Sequence, residues 1–248
     1  MLYAEKRVYA GDMLDIDIFP EWKRGQGKRN PSKGTSNSQK KLNERNKIKK
    51  FIQLINANFK ANVDIVIHVG YSGMFNPDIK QMDKDIDNYI RRLRYAMKKR
   101  GWGDLKAVIV REYDEASQKK KHAHIICNFP DRDLAEQLWG KCDYPNARRL
   151  KSNDFGLTGL AVYLKKDPRG KKSYKATRNL YKPYNYPKYN KTRYGRGKKV
   201  RMLSTQFEDP KTHFEKIHPS YKFLDMQTYI SDSGDVFLYA RMHKKHTA

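Results

Sequence analysis

Residues 105–129, LKAVIVREYDEASQKKKHAHIICNF, place two apolar runs on either side of a polar, lysine-rich turn. Both runs are rich in β-branched residues, so each reads as a strand, and strands this close in sequence pair antiparallel. The hairpin must therefore lie in a sheet, and the rest of the chain must supply that sheet's partners and its cover. Residues 63–70, VDIVIHVG, supply a further strand. Residues 81–100 supply a helix whose Ile86, Tyr89, Ile90, Leu93 and Met97 recur at helical spacing, with Gly101-Trp102-Gly103 as its stop. An apolar stripe through Leu42, Phe51, Ile52, Leu54, Ile55 and Phe59 predicts a helix over 38–59, and short helices are expected over 131–139 and 154–166, with a small strand at 146–150. Strand, helix, strand, strand, helix, strand, helix is the order of an α+β fold, a central antiparallel sheet with packed helices of the split αβ type.

Around that centre the chain carries basic extensions. Residues 1–19 alternate weakly about Gly11-Asp12 and read as a hairpin, and 23–40 form a basic linker almost free of apolar groups. After Arg169 lysine and arginine interleave with Tyr174, Tyr181, Tyr184, Tyr186, Tyr189 and Tyr194, and two further strands are expected from Phe223 onward. The expected division is 1–37 for the first strands and linker, 38–185 for the central domain, and 186–248 for a basic segment and strands packing on that same domain.

Lysine and arginine number 53 against 27 acidic residues, a net charge of +26. So one-sided a balance is the footprint of a nucleic-acid partner, whose condensed counterions are released as phosphates are neutralised. Cys127 and Cys142 lack CxxC spacing and suggest neither a disulfide scaffold nor a structural zinc knot; Cys127 reads as a small core residue. No apolar run is long enough to span a bilayer, and the N-terminal MLYAEKRVYAG has no apolar leader core. A cytoplasmic setting is expected.

In a strand, residues i and i+2 share a face, so His122 and His124 point together while Ala123 and Ile125 point away. Glu112 ends the preceding strand, and a hairpin brings it alongside. Two imidazoles and a carboxylate leave coordination positions open, a set that suits Mn²⁺ or Mg²⁺. His68, on the 63–70 strand, is a possible additional ligand. Downstream, Tyr163 and Lys166 in GLAVYLKKD lie three apart on one helix face. A free tyrosine is a poor nucleophile at neutral pH, but a neighbouring ammonium and a metal field favour its phenolate.

Taken in order, His122-Ala123-His124 and Tyr163-Leu164-Lys165-Lys166 resemble the HUH endonucleases, specifically the single-tyrosine rolling-circle replication initiators of bacterial phages and plasmids. Ile90-Arg91-Arg92-Leu93-Arg94 and Thr177-Arg178-Asn179-Leu180 resemble the same initiators, whereas the strand at Ile65–Tyr71 lacks the threonines usual at its end. The resemblance covers about residues 38–185. It implies an HUH or Rep-type fold related to the ferredoxin-like sheet, and a metal-dependent nickase acting on single-stranded or hairpin origin DNA. Tyr163 would attack the scissile phosphate with Lys166 beside it. The metal would be held by His122, His124 and Glu112. The product would be a 5′-phosphotyrosine and a free 3′-hydroxyl for a host polymerase, with a host helicase borrowed and the protein acting as a monomer or transient dimer.

Arg91, Arg92, Arg94, Lys165, Lys171, Lys172, Lys175 and Arg178 are the expected DNA contacts. Two alternatives stay open at the level of sequence. One is a conjugative relaxase or single-tyrosine transposase with the same chemistry. The other is a non-catalytic module that binds single-stranded DNA or RNA through charge and stacked tyrosines.

Overall fold

A computed structural model describes residues 2–21, 37–73, 75–112, 121–142, 145–165, 174–231 and 234–245. Along the chain these form β1 (Leu2–Ala10), β2 (Met13–Glu21), α1 (Asn37–Asn58), β3 (Ile65–Val69), α2 (Ile79–Arg100), β4 (Ala107–Glu112), β5 (His122–Cys127), α3 (Arg132–Trp139), β6 (Asn146–Arg149), α4 (Thr158–Lys165), β7 (Lys175–Ala176), a 3-10 turn (Pro183–Asn185), β8 (Lys188–Asn190), α5 (Lys198–Ser204), α6 (Pro210–Ile217), β9 (Tyr221–Ile230) and β10 (Val236–Lys244). The class is α+β, with antiparallel pairing throughout the described strands.

There are two sheets among the described residues rather than one central sheet. The chain divides into two compact units, one of 58–153 with 157–181 and one of 1–57, 154–156 and 182–248. This differs from the segmentation expected from sequence. The N-terminal hairpin and the C-terminal strands pair with each other, β2 beside β10, and make a sheet of their own.

The first unit is the predicted one. Its strand order is β6-β3-β5-β4-β7. Alternation along the strands sends Ile65, Ile67, Val69, Ala107, Ile109, Ala123, Ile125 and Cys127 to one face, where they pack against α2 and α3. Helix α2 starts where the Asp78 carboxylate accepts from the Gln81 N–H at 2.7 Å, and ends at Gly101, whose φ of 66° suits a glycine. Its buried stripe includes Met82, Ile86, Tyr89, Leu93 and Met97. Trp139, at the end of α3, closes this core. Its indole N–H donates to the Gly70 carbonyl at 2.6 Å, and its ring meets Tyr71 and Tyr89 edge-on at 5.7 and 5.3 Å.

The second unit has strand order β8-β1-β2-β10-β9. Leu14, Ile16, Ile18, Leu238, Ala240 and Met242 bury against Val200 and Leu203 of α5 and Phe214 of α6. On the other face α1 is pinned to β2, Lys49 by an ion pair to Asp17 at 2.5 Å and Gln53 by a hydrogen bond to Asp15 at 2.6 Å. The turn between β1 and β2 has two residues, and its first, Gly11, has φ of 63°, as hairpin turns of this length require. A Cβ there would lie 2.2 Å from the Asn56 carbonyl oxygen.

Gly11→Ala is therefore expected to cost more than the roughly 1 kcal/mol of a left-handed alanine, because the helix backbone must also give way. Urea unfolding of wild type and variant measures it.

His218 caps α6 with its ring buried, and its Nε2 makes no hydrogen bond among the described residues. Burial foremost, then Arg7, Arg193 and His213, pushes its pKa down to about 4 from 6.5. The unfolded chain thus binds a proton between those values that the folded chain refuses. The histidine costs nothing above pH 6.5, and stability is lost as the pH falls toward 4. The urea midpoint should drop through that window, and His218→Gln should flatten part of the drop.

Candidate metal centre

The site is built on the face of the first unit's sheet opposite α2 and α3. The β4–β5 register sets Glu112 directly across from His122, and Val110 across from His124. Since Ala123 and Ile125 enter the core beneath α2, His122 and His124 must project from the other face. The β3–β5 register sets His68 across from His124, so a third imidazole joins from the opposite side.

Glu112 bridges the two histidines of β5. Its Oε2 lies 3.1 Å from His122 Nε2, and its Oε1 lies 3.4 Å from His124 Nε2. One ligand atom from each of Glu112, His122 and His124 falls within 4.8 Å of the others, a grouping that could hold a metal ion. His124 is buried, yet its Nε2 makes no hydrogen bond among the described residues. Leaving a buried polar nitrogen without a hydrogen bond costs about 1–3 kcal/mol, and a coordinated cation would satisfy it. The donor set fits the expected metal on this ground.

Electrostatics favour lone pairs over protons here. Burial is the main cause that pushes the His124 pKa down to about 4; His68 and His122 add to it and the Glu112 carboxylate opposes it. His68 is lowered as well, by burial first and then by His122, against the pull of Glu112. Neutral imidazole is the ligating form. The His68 ring stands 4.8 Å from that of His122 and 4.9 Å from that of His124.

Helix α4 meets this face through Tyr163. The ring of Tyr163 lies edge-on to His124 at 5.9 Å, with over half of the residue exposed. A buried Leu164 and Ala161 anchor α4, which leaves Tyr163 outward beside the imidazoles. The helix starts later than its expected 154–166 span, after a left-handed Gly156. Lys166, the partner expected three residues on, lies outside the described residues, as do Lys171 and Lys172.

The expected DNA contacts separate. Arg91, Arg92, Arg94 and Arg178 are exposed. Arg91 bonds Asn88 on its own helix, and Arg92 donates to the Trp139 carbonyl at 3.2 Å. Lys175 is half-buried and pairs with Asp87 at 3.5 Å and Asp83 at 3.8 Å. Lys165 departs from the expectation of a surface phosphate contact. It is buried, with its ammonium 5.9 Å from the Tyr174 ring centroid, because α4 turns that position inward beside Leu164. The tyrosine series divides too. Tyr181, Tyr186 and Tyr189 are exposed, whereas Tyr194 is buried in the second unit's core, its hydroxyl 3.2 Å from His213 Nε2.

No helix among the described residues is long and apolar enough to cross a membrane. The chain matches no curated protein and no solved structure. Residues 71–168 match the family model for the replication-associated protein ORF2. The matched span holds Glu112, His122, His124, Tyr163 and Lys166 together, and the similarity fits a Rep-type replication initiator.

Proposed function

We propose that the first unit is a metal-dependent DNA nickase and strand transferase, of the HUH single-tyrosine type, that opens a replication origin for rolling-circle synthesis. The observation that carries this reading is the Glu112, His122 and His124 group with the Tyr163 ring set against His124. A carboxylate and neutral imidazoles can hold Mn²⁺ or Mg²⁺, and the two nitrogen donors lean toward Mn²⁺. A bound divalent ion would polarise the scissile phosphate and offset the charge that builds on its oxygens. His68 borders the same group and is proposed to complete its ring of imidazoles.

The chain's own groups supply the rest. The Tyr163 phenol gives up its proton and its oxygen bonds the scissile phosphorus, while the bond from phosphorus to the 3′ oxygen breaks and that oxygen takes up a proton. The products are a 5′-phosphotyrosine and a 3′-hydroxyl, and the reverse attack rejoins the strand. The phosphotyrosine conserves the energy of the broken bond. Lys166 is assigned to the developing charge at the phenol and phosphate. The substrate is single-stranded or hairpin origin DNA. The freed 3′-hydroxyl would prime a host polymerase working with a host helicase, with one protein molecule or a transient pair at each origin.

Two measurements test this. Purified protein mixed with labelled single-stranded origin DNA and Mn²⁺ should form an adduct that survives a denaturing gel, and Tyr163→Phe should form none. An adduct that persists in Tyr163→Phe means another nucleophile. Separately, calorimetric titration should show Mn²⁺ binding to wild type. His124→Ala should weaken it at least about tenfold, since even loss of a group that only orients a ligand costs about 10–100-fold. Unchanged affinity would remove the metal from this site.

A further inference from the structure

We propose that a second DNA-binding feature, a cationic cleft at the far end of β4 from the metal centre, holds the phosphate backbone of the double-stranded DNA flanking the cleavage position. The proposal rests on the reading of this unit as a DNA nickase. The cleft encloses about 1070 Å³ and is lined by Arg94 and Lys98 of α2, the turn through Gly101, Gly103 and Asp104, and Ala176–Asn179 after β7.

Its charge is built in rather than incidental. From Asn88 to Arg100, α2 carries Arg91, Arg92, Arg94, Lys98, Lys99 and Arg100 and no acid. Arg94 and Lys98 stand four apart, on the face that looks into the cleft. Opposite them Arg178 is held out between two anchors. Thr177 is buried, its N–H donating to the Ala107 carbonyl at 2.9 Å and its hydroxyl accepting from the Ala107 N–H at 3.0 Å. Asn179 donates to the Leu105 carbonyl at 3.2 Å. The backbone on both sides of Arg178 is thereby fixed, and its side chain is exposed. Arg94, Lys98 and Arg178 form no ion pair among the described residues. Asp104 is the one carboxylate in the lining. At Gly101 and Gly103 an added Cβ would meet nothing within 4 Å, so the rim is open.

The lining also points to paired DNA. Unpaired strands are held by aromatic side chains on which bases stack, and this cleft has none. Exposed cations on a polar wall contact phosphates without reading bases. Leu105 in the cleft precedes Glu112 by seven residues, most of them in β4. At ~3.3 Å per strand residue that is about 23 Å, close to seven base pairs at ~3.4 Å each. A stem bordering the nick would reach from one feature to the other.

The test compares wild type with R94Q/K98Q/R178Q, and with K80Q/K84Q/K99Q, which removes the same charge from exposed positions elsewhere on α2. Fluorescence anisotropy is measured against a labelled duplex of about twenty base pairs and a labelled single strand of the same length over a range of salt, with circular dichroism as the check of folding. The cleft variant should bind the duplex about tenfold or more weakly. Its log–log salt slope should fall by roughly 2–3, at ~0.9 for each phosphate no longer neutralised, with single-strand binding little changed. Duplex binding equal to wild type, or an equal loss in the control variant, overturns the cleft. An equal loss on the single strand overturns its assignment to paired DNA. Wild type that binds neither probe overturns the nickase reading itself, a different result from a cleft variant that matches a binding-competent wild type.

Discussion

The pairing of Glu112 with His122 across β4 and β5 is the constraint on which the candidate site depends. Side-chain direction in a strand has period two, so register decides at once what faces the core and what faces the site. A slip of one residue between these strands would put Arg111 opposite His122 and break the carboxylate's reach to both rings. Such a slip is opposed by the other face. Ala107, Ile109, Ala123, Ile125 and Cys127 fit beneath α2 only in the register that also assembles the three ligands. Core packing and site geometry are one choice made on two sides of the same sheet.

That sheet also sets the protonation of the site. His68, His122 and His124 crowd together with one carboxylate among them, and burial falls hardest on His124. Protonated rings so close would repel each other with little water to screen them. The arrangement is therefore stable with neutral rings, whose lone pairs are free to coordinate. The same crowding leaves a buried nitrogen without a hydrogen bond, a cost the fold carries in the absence of a cation.

Much of this was legible in the sequence because it rests on local periodicity. The alternation in AVIVRE and HAHIIC, the helical stripe through Ile86, Leu93 and Met97, and the glycine stop at Gly101 each encode structure within a few residues. The sharing of a face by His122 and His124 followed from the same rule. What escaped depended on distant partners. Nothing near Leu2–Ala10 says that its sheet is completed from the other end of the chain, so the second unit read as extensions of the first. Helix α6 did carry a local signal, Asp209 and Pro210 before THFEKI, where the Asp209 carboxylate accepts from the Thr212 N–H at 2.9 Å. It was hidden by the basic, tyrosine-rich run preceding it. Lys165 was misplaced for a related reason: a lysine beside a candidate nucleophile suggests a phosphate contact, and only the packing of α4 shows that it points inward.

The pairing of β2 with β10 joins positions 18 and 238 in one sheet. On a chain emerging from a ribosome, nearly all of the first unit, a continuous run but for 154–156, is complete before β9 and β10 exist. Domains fold largely as units during synthesis, and pairings between distant positions form late because the loop between them must close first. The hairpin of β1 and β2 must therefore wait with an unpaired edge while the metal-centre unit forms. The second sheet closes only when the last strand arrives, and it acts as the final fastening of the chain.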